Sequence, residues 1–173
     1  MVKKFIIVFV LLFFGAAAYF IFCGESEEQK IRKMLNRLCT DCAKNKESSS
    51  AAALVVKTNV LKNYFTDPCT LSVHRGFLQG TFNDVRIANE IMRVNMFFES
   101  SDLSYSDLVI SVNTPEAETT FTGRFQAVTK SGEKVDEVRE IELKLRKIDK
   151  KWKISSAEVR KILEKEGCVL NVD

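Results

Sequence analysis

Through the last third of the chain, apolar and polar residues take turns. Leu108, Ile110 and Val112 interleave with Asp107, Ser111 and Asn113, and Phe121, Phe125 and Ala127 with Thr122, Arg124 and Gln126. Ile141, Leu143 and Leu145 interleave with Glu142, Lys144 and Arg146, and Trp152 and Ile154 begin a last strand. A period of two with one wet face is the pattern of an antiparallel sheet. Ser131-Gly132 and Asp149-Lys150 fall between the runs and read as hairpin turns.

The earlier part of the chain has helical spacing. From about Ser26 to Lys44, Ile31, Leu35, Leu38 and Cys42 recur every three to four residues, with Lys30, Lys33, Arg37 and Asp41 elsewhere. A serine among Ser48–Ser50 caps a second helix, whose apolar side is Ala52, Val55, Val56, Val60 and Leu61. That helix is expected to end before Asp67-Pro68, because proline disfavours helix at the residue preceding it. Cys69–Val73 reads as a short strand, Gly76 and Gly80 break the next stretch, and a third helix spans about Asn83–Phe98. Its stripe is Ile87, Ile91, Val94 and Phe98, with Ala88 and Met92 beside it. Two helices, a short strand, a third helix and a meander of long strands make an α+β plan: three helices packed on a strongly curved antiparallel sheet.

Ahead of this plan, Phe5–Cys23 carries no charge and no strongly polar side chain. As a helix it is about 28 Å long, close to the ~30 Å hydrocarbon core of a bilayer. Lys3 and Lys4 precede it and Glu25, Glu27 and Glu28 come after it, which favours a cytoplasmic N-terminus. The expected division is therefore a transmembrane signal anchor at 1–24 and one extracytoplasmic domain at 25–173, in a bacterial inner membrane. The competing reading is a cleaved signal peptide with Ala16-Ala17-Ala18 at the cleavage site, which would release the domain. Cleavage there would leave Tyr19-Phe20-Ile21-Phe22 as an exposed apolar start. Phe22 stands where a lipobox before Cys23 needs a small residue. The chain has 26 basic and 23 acidic residues, and Lys3 and Lys4 lie outside the domain. The near balance that remains gives no case for a nucleic-acid surface. Breaks in pattern fall only at Gly24–Gln29 and Asn45–Ser50.

Asn63–Val73, Gly80 with the third helix, and Ile141–Val159 together resemble the SnoaL-like and nuclear-transport-factor-2-like superfamily of α+β cones, also described as cystatin-like. In that superfamily a phrase of the form F-x-D-D-x-x-L ends the second helix and opens the first strand. A hairpin containing D-G-x-W-K-I closes the sheet. This chain has Phe65-Thr66-Asp67-Pro68 and Asp149-Lys150-Lys151-Trp152-Lys153-Ile154. The resemblance covers about residues 28–162 and implies a cone whose open end forms a pocket. It speaks to fold far more than to function, because the superfamily hosts isomerases, dehydratases, transport factors and assembly modules.

Enzymes of the superfamily place an Asp, or a His–Asp pair, inside the cone to move protons. His74 and Asp67 are the candidates here. His74 is the chain's single histidine and sits beside Arg75, as surface histidines do. Asp67 matches the family phrase at a position that usually caps the turn before the strand. No Asp or Glu falls on the inward parity of Leu108–Val112 or Phe121–Ala127, which argues against a proton-transfer enzyme. By parity with Ile141, Leu143 and Leu145, Glu137 and Arg139 point inward near the mouth. They form either a solvated rim ion pair or a site for an anionic ligand or a partner's carboxylate.

Cys39 and Cys42 form C-x-x-C near the end of a helix, where the dipole opposes thiolate, unlike redox pairs at helix N-termini. Cys69, Cys168 and His74 lack the paired spacing of a zinc site, so no metal and no cofactor is expected. Disulfides joining Cys39 or Cys42 to Cys69 or Cys168 remain open alongside plain buried thiols. The cluster Arg146, Lys147, Lys150, Lys151 and Lys153 around Trp152 reads as a solvated hairpin with Trp152 in the core, diluted by Glu140, Glu142 and Asp149. The expectation is a membrane-anchored, non-catalytic binding or assembly module that meets a protein partner or a small apolar ligand, with a homodimer also open. The alternative is a SnoaL-like isomerase or hydratase with His74 or Asp67 as base.

Overall fold

The computed structural model describes residues 25–44, 50–73 and 78–161. The apolar run Phe5–Cys23, His74 and Cys168 lie outside them. Among the described residues no helix is long and apolar enough to cross a membrane.

Helix α1 is Glu27–Cys42. Ser26 caps it in a reciprocal box: its hydroxyl accepts from the Gln29 amide, and the Gln29 side chain accepts from the Ser26 amide. The helix thus begins inside the segment Gly24–Gln29 that reads as a break, because Ser26 and Gln29 satisfy its free amides. Ile31 and Leu35 are buried, and Leu38 and Cys42 partly so, which is the spacing expected of this face. Helix α2 is Ala51–Lys62, capped by the Ser50 side chain on the Ala53 amide.

Two expectations for α2 fare differently: its end is where expected for another reason, and its apolar face is not. It ends before Asp67-Pro68 as expected, but already at Lys62 and an Asn63–Tyr64 turn, so Pro68 is not what sets its end. Its inward face is Leu54, Thr58 and Leu61, while Val55, Val56 and Val60 are exposed. The helix is apolar nearly all round, so its own sequence does not say which side meets the core.

Helix α3 is Asp84–Phe97, capped by Asn83 on the Arg86 amide. Ile87 and Ile91 face inward as expected, but Asn95 is buried and Val94 exposed. Asn95 fits because its amide donates to the Ile91 carbonyl at 2.9 Å. Lysines from elsewhere cap two helix ends. Lys57 donates to the carbonyls of Cys42 and Ala43 at the end of α1, and Lys44 to those of Asn95 and Phe98 at the end of α3.

The six strands among the described residues are β1 (Phe65–Val73), β2 (Gln79–Phe82), β3 (Phe98–Asn113), β4 (Glu116–Thr129), β5 (Lys134–Ile148) and β6 (Lys151–Lys161). They lie in the order β2-β1-β6-β5-β4-β3. The sheet is mixed rather than wholly antiparallel, because β1 runs parallel to β6. The register slips between Phe65, opposite Ile154, and Thr70, opposite Ser156. Asp67 and Pro68 fall in that slip, where proline has no amide for a ladder. Asp67 is therefore inside β1, not at the cap of a preceding turn.

Both expected hairpin turns form. A third, at Thr114-Pro115, joins β3 to β4. Asp149 and Lys150 have φ of 48° and 64°, the paired positive angles of a two-residue hairpin. The inward parity holds, with Ala117, Phe121, Ala127, Leu143, Leu145, Trp152 and Ile154 buried. Ile31, Leu35, Ile87 and Phe82 complete the same core. Gly123 has no side chain because a Cβ there would lie 2.5 Å from Ile141 Cδ1.

Candidate functional site

The concave face of the sheet is lined by apolar side chains and hydroxyls. On it Tyr105, from β3, donates to Asn36; off the sheet, in the turn before β1, Tyr64 donates to Asp41 Oδ2 at 2.6 Å. Burial and the neighbouring Asp41 carboxylate raise the Tyr64 phenol well above its ordinary range, so it stays protonated. The buried polar residues among those described are Thr58, Thr66, Asn95, Thr119 and Thr129. None of these can titrate. Thr58 and Thr119 hold hydroxyl oxygens without a partner among the described residues.

Glu137 and Arg139 lie on the core-facing side of β5, opposite Phe125 and Gly123. They pair with each other at 2.7 Å, with side chains 51% and 35% exposed respectively. Arg139 also donates to the Val138 carbonyl. Asp67 is exposed and sits two strands away on β1, so it does not join them. His74, which directly follows β1, is outside the described residues.

Cys39, Cys42 and Cys69 are free thiols. Burial pushes Cys42 and Cys69 up to about 11, and Cys39 moves in the same direction. A thiol so shifted is a poor nucleophile at neutral pH. Among the described residues, no three Cys, His, Asp or Glu side chains group as metal ligands do.

A second feature lies elsewhere. A cleft of about 500 Å³ opens where α1, the end of α2 and the β5–β6 hairpin meet. Lys30, Lys33 and Arg37 line it from α1, and Lys150, Lys151 and Lys153 from the hairpin, with Glu25 as the one acidic member. Met34, Val60, Tyr64 and Trp152 form its apolar floor. Lys30, Lys33 and Arg37 share a helix face by their spacing of three and four. That spacing is readable in the sequence. The pairing of this face with a hairpin more than a hundred residues further along the chain is not.

Glu27 joins the two halves. Its carboxylate accepts from Trp152 Nε1 at 2.9 Å and pairs with Lys147 and Lys30, each at 2.7 Å. These partners, Lys147 first, hold its pKa down at about 2 against an ordinary 4.5. Lys147 is thus tied into the structure rather than solvated. Lys33 pairs with Glu25. Arg37, Lys150, Lys151 and Lys153 form no ion pair among the described residues.

The order of elements, three helices against a curved sheet closed by the Trp152 hairpin, defines an α+β cone of the nuclear-transport-factor-2-like, cystatin-like type. Solved structures agree on that fold. A proposed scytalone dehydratase from Novosphingobium aromaticivorans is 17% identical with a TM-score of 0.63, over 79% of this chain and 85% of its own. A proposed aromatic ring hydroxylase from the same organism is 12% identical with a TM-score of 0.64, over 78% and 87%. A nuclear-transport-factor-2-like superfamily protein from Salmonella enterica is 18% identical with a TM-score of 0.59, over 80% and 95%. No family model matches the chain, and no curated protein matches it in sequence.

Proposed function

We propose that the cone is a small-molecule domain, a SnoaL-like isomerase or hydratase acting on a small apolar substrate. The observation that carries this reading is the likeness to structures assigned to dehydration and ring hydroxylation along most of their length. The apolar, hydroxyl-bearing concave face suits a neutral substrate. Asp67 is exposed, so the base in this reading is His74, the residue that follows Val73 in the sequence. The full chain, purified in nonionic detergent, should dehydrate or isomerise members of a panel of small cyclic hydroxyketones, followed by absorbance. His74→Ala should lower that rate by about 100-fold or more. Turnover that survives the substitution removes His74 as base. A panel that gives neither turnover nor thermal stabilisation removes the enzyme.

A second reading keeps the cone as a non-catalytic module held at a bacterial inner membrane by Phe5–Cys23, with the domain outside the cytoplasm. It is supported by that apolar run and by the absence of a buried Asp, Glu, His, Lys or Arg among the residues described. In it, Arg139 beside Glu137 receives an anionic ligand or a partner's carboxylate, and the polar face bearing Thr122, Arg124 and Gln126 is where a homodimer would form. Arg139→Ala should then weaken partner capture from solubilised membranes. A mature N-terminus at Tyr19 would rule out the anchor.

A further inference from the structure

We infer that the cleft between α1 and the β5–β6 hairpin binds an amphiphile with a phosphate-bearing, anionic head. The site is separate from the concave face, and its existence depends on neither reading above. Six cations face one acidic residue, and four of the six have no ion pair among the described residues. Those four, Arg37, Lys150, Lys151 and Lys153, come from two elements that Glu27 clamps together, so they converge rather than scatter along one strand.

The cleft is too apolar for an anion alone. Met34, Val60 and Trp152 line it alongside the cations, a mixture that receives a chain or ring attached to a charged head. The hairpin itself departs from local preference in the same place. The second residue of a turn with two positive φ angles is most often glycine, yet Lys150 occupies it at 64°. A lysine at the tip adds a cation to the cleft wall, which glycine would not.

A phosphate head could belong to a membrane lipid or to a soluble metabolite. The lipid is the favoured source, because Glu25 lines the cleft and stands two residues after the apolar run ending at Cys23. That choice of source rests on the membrane-anchored reading, whereas the anion site does not.

Trp152 is the single tryptophan of the chain and part of the cleft, so its fluorescence reports occupancy. The full chain in nonionic detergent is titrated with short-chain phosphatidylglycerol, with the matched phosphatidylcholine, and with inorganic phosphate. Saturable fluorescence change is expected with phosphatidylglycerol, with apparent affinity at least tenfold above the other two. Arg37→Ala and Lys151→Ala should each weaken it severalfold and the pair by tenfold or more. Arg37→Lys should restore part of the loss, and Lys134→Ala, on another face, should change nothing. Thermal melts confirm that the variants fold. An equal response to phosphatidylcholine, or unchanged affinity in the double variant, overturns the site. Inorganic phosphate binding as tightly as the lipid overturns the amphiphile. Membrane fractionation tests the anchor independently, so loss of one conclusion leaves the other standing.

Discussion

The inside of the cone and the cleft beside it are built from the same strands but on opposite terms. Inside, Ile31, Leu35, Phe82, Leu145 and Ile154 are each at most 2% exposed, and the buried polar residues are uncharged. Outside, at the hairpin, cations gather around an open space with few carboxylates to neutralise them. The first region is organised by exclusion of water, where volume matters and charge is not tolerated. The second keeps its charges solvated, where substitution costs little stability and any selective value must come from binding. Stability and recognition are thus separated in space, and substitutions can pull them apart.

The largest contrast should come from the core. Leu145→Ala removes a buried side chain from the centre of the sheet and is expected to cost about 2–5 kcal/mol in denaturant unfolding. Lys151→Ala should stay within about 0.5 kcal/mol in the same assay. A comparable loss at both positions would end the distinction.

Glu27 is where the two regions touch, and its effect should depend on pH. Its folded pKa is depressed, so its contribution is complete above the ordinary 4.5 and is lost as pH falls towards about 2. Glu27→Gln should lower stability at pH 7 by about 2 kcal/mol and flatten the acid limb of the stability profile. A wild-type profile already flat between those values would show that the Lys147 and Trp152 contacts do not hold in solution.

Gly123→Ala places a methyl against the end of Ile141, a flexible group that can yield. A loss of about 1 kcal/mol is expected by thermal melt, with the fold intact. Lys150→Gly should do the reverse of a core substitution. It relieves a positive φ and raises stability by about 0.5 kcal/mol, while weakening phosphatidylglycerol binding. A residue that lowers stability and supports binding is the sharpest expression of the contrast.

Much of the architecture is legible in the residue pattern. Strand parity places Phe121, Leu143, Leu145 and Ile154 correctly because one face of each strand is dry, and a one-residue error would expose all of them. Ser26, Ser50 and Asn83 mark helix starts because each side chain reaches a free amide. The misses share a cause. Val55, Val56 and Val60 look like a core face, but α2 is apolar nearly all round, so its orientation is decided by Leu54, Thr58 and Leu61 meeting the rest of the fold. Asn95 has the polarity of a surface residue, yet its own helix supplies the acceptor that lets it be buried. The parallel β1–β6 pair leaves no local trace, because it joins segments about 90 residues apart. The candidate site is legible only in halves: each basic stripe is visible, but not that Glu27 brings them together.

The parallel pair also fixes when the molecule can be completed. β1 has only β2 and β6 as neighbours, and β6 is the last strand described. Until Lys151–Lys161 has left the ribosome, one edge of β1 waits unsatisfied while the five elements between β1 and β6 are made. The slow step of such a chain is the closing of this long-range contact. A nascent chain stalled before residue 150 would carry an open strand edge able to pair with another chain. The hairpin that delivers β6 would then serve as the latch of assembly as well as the wall of the cleft.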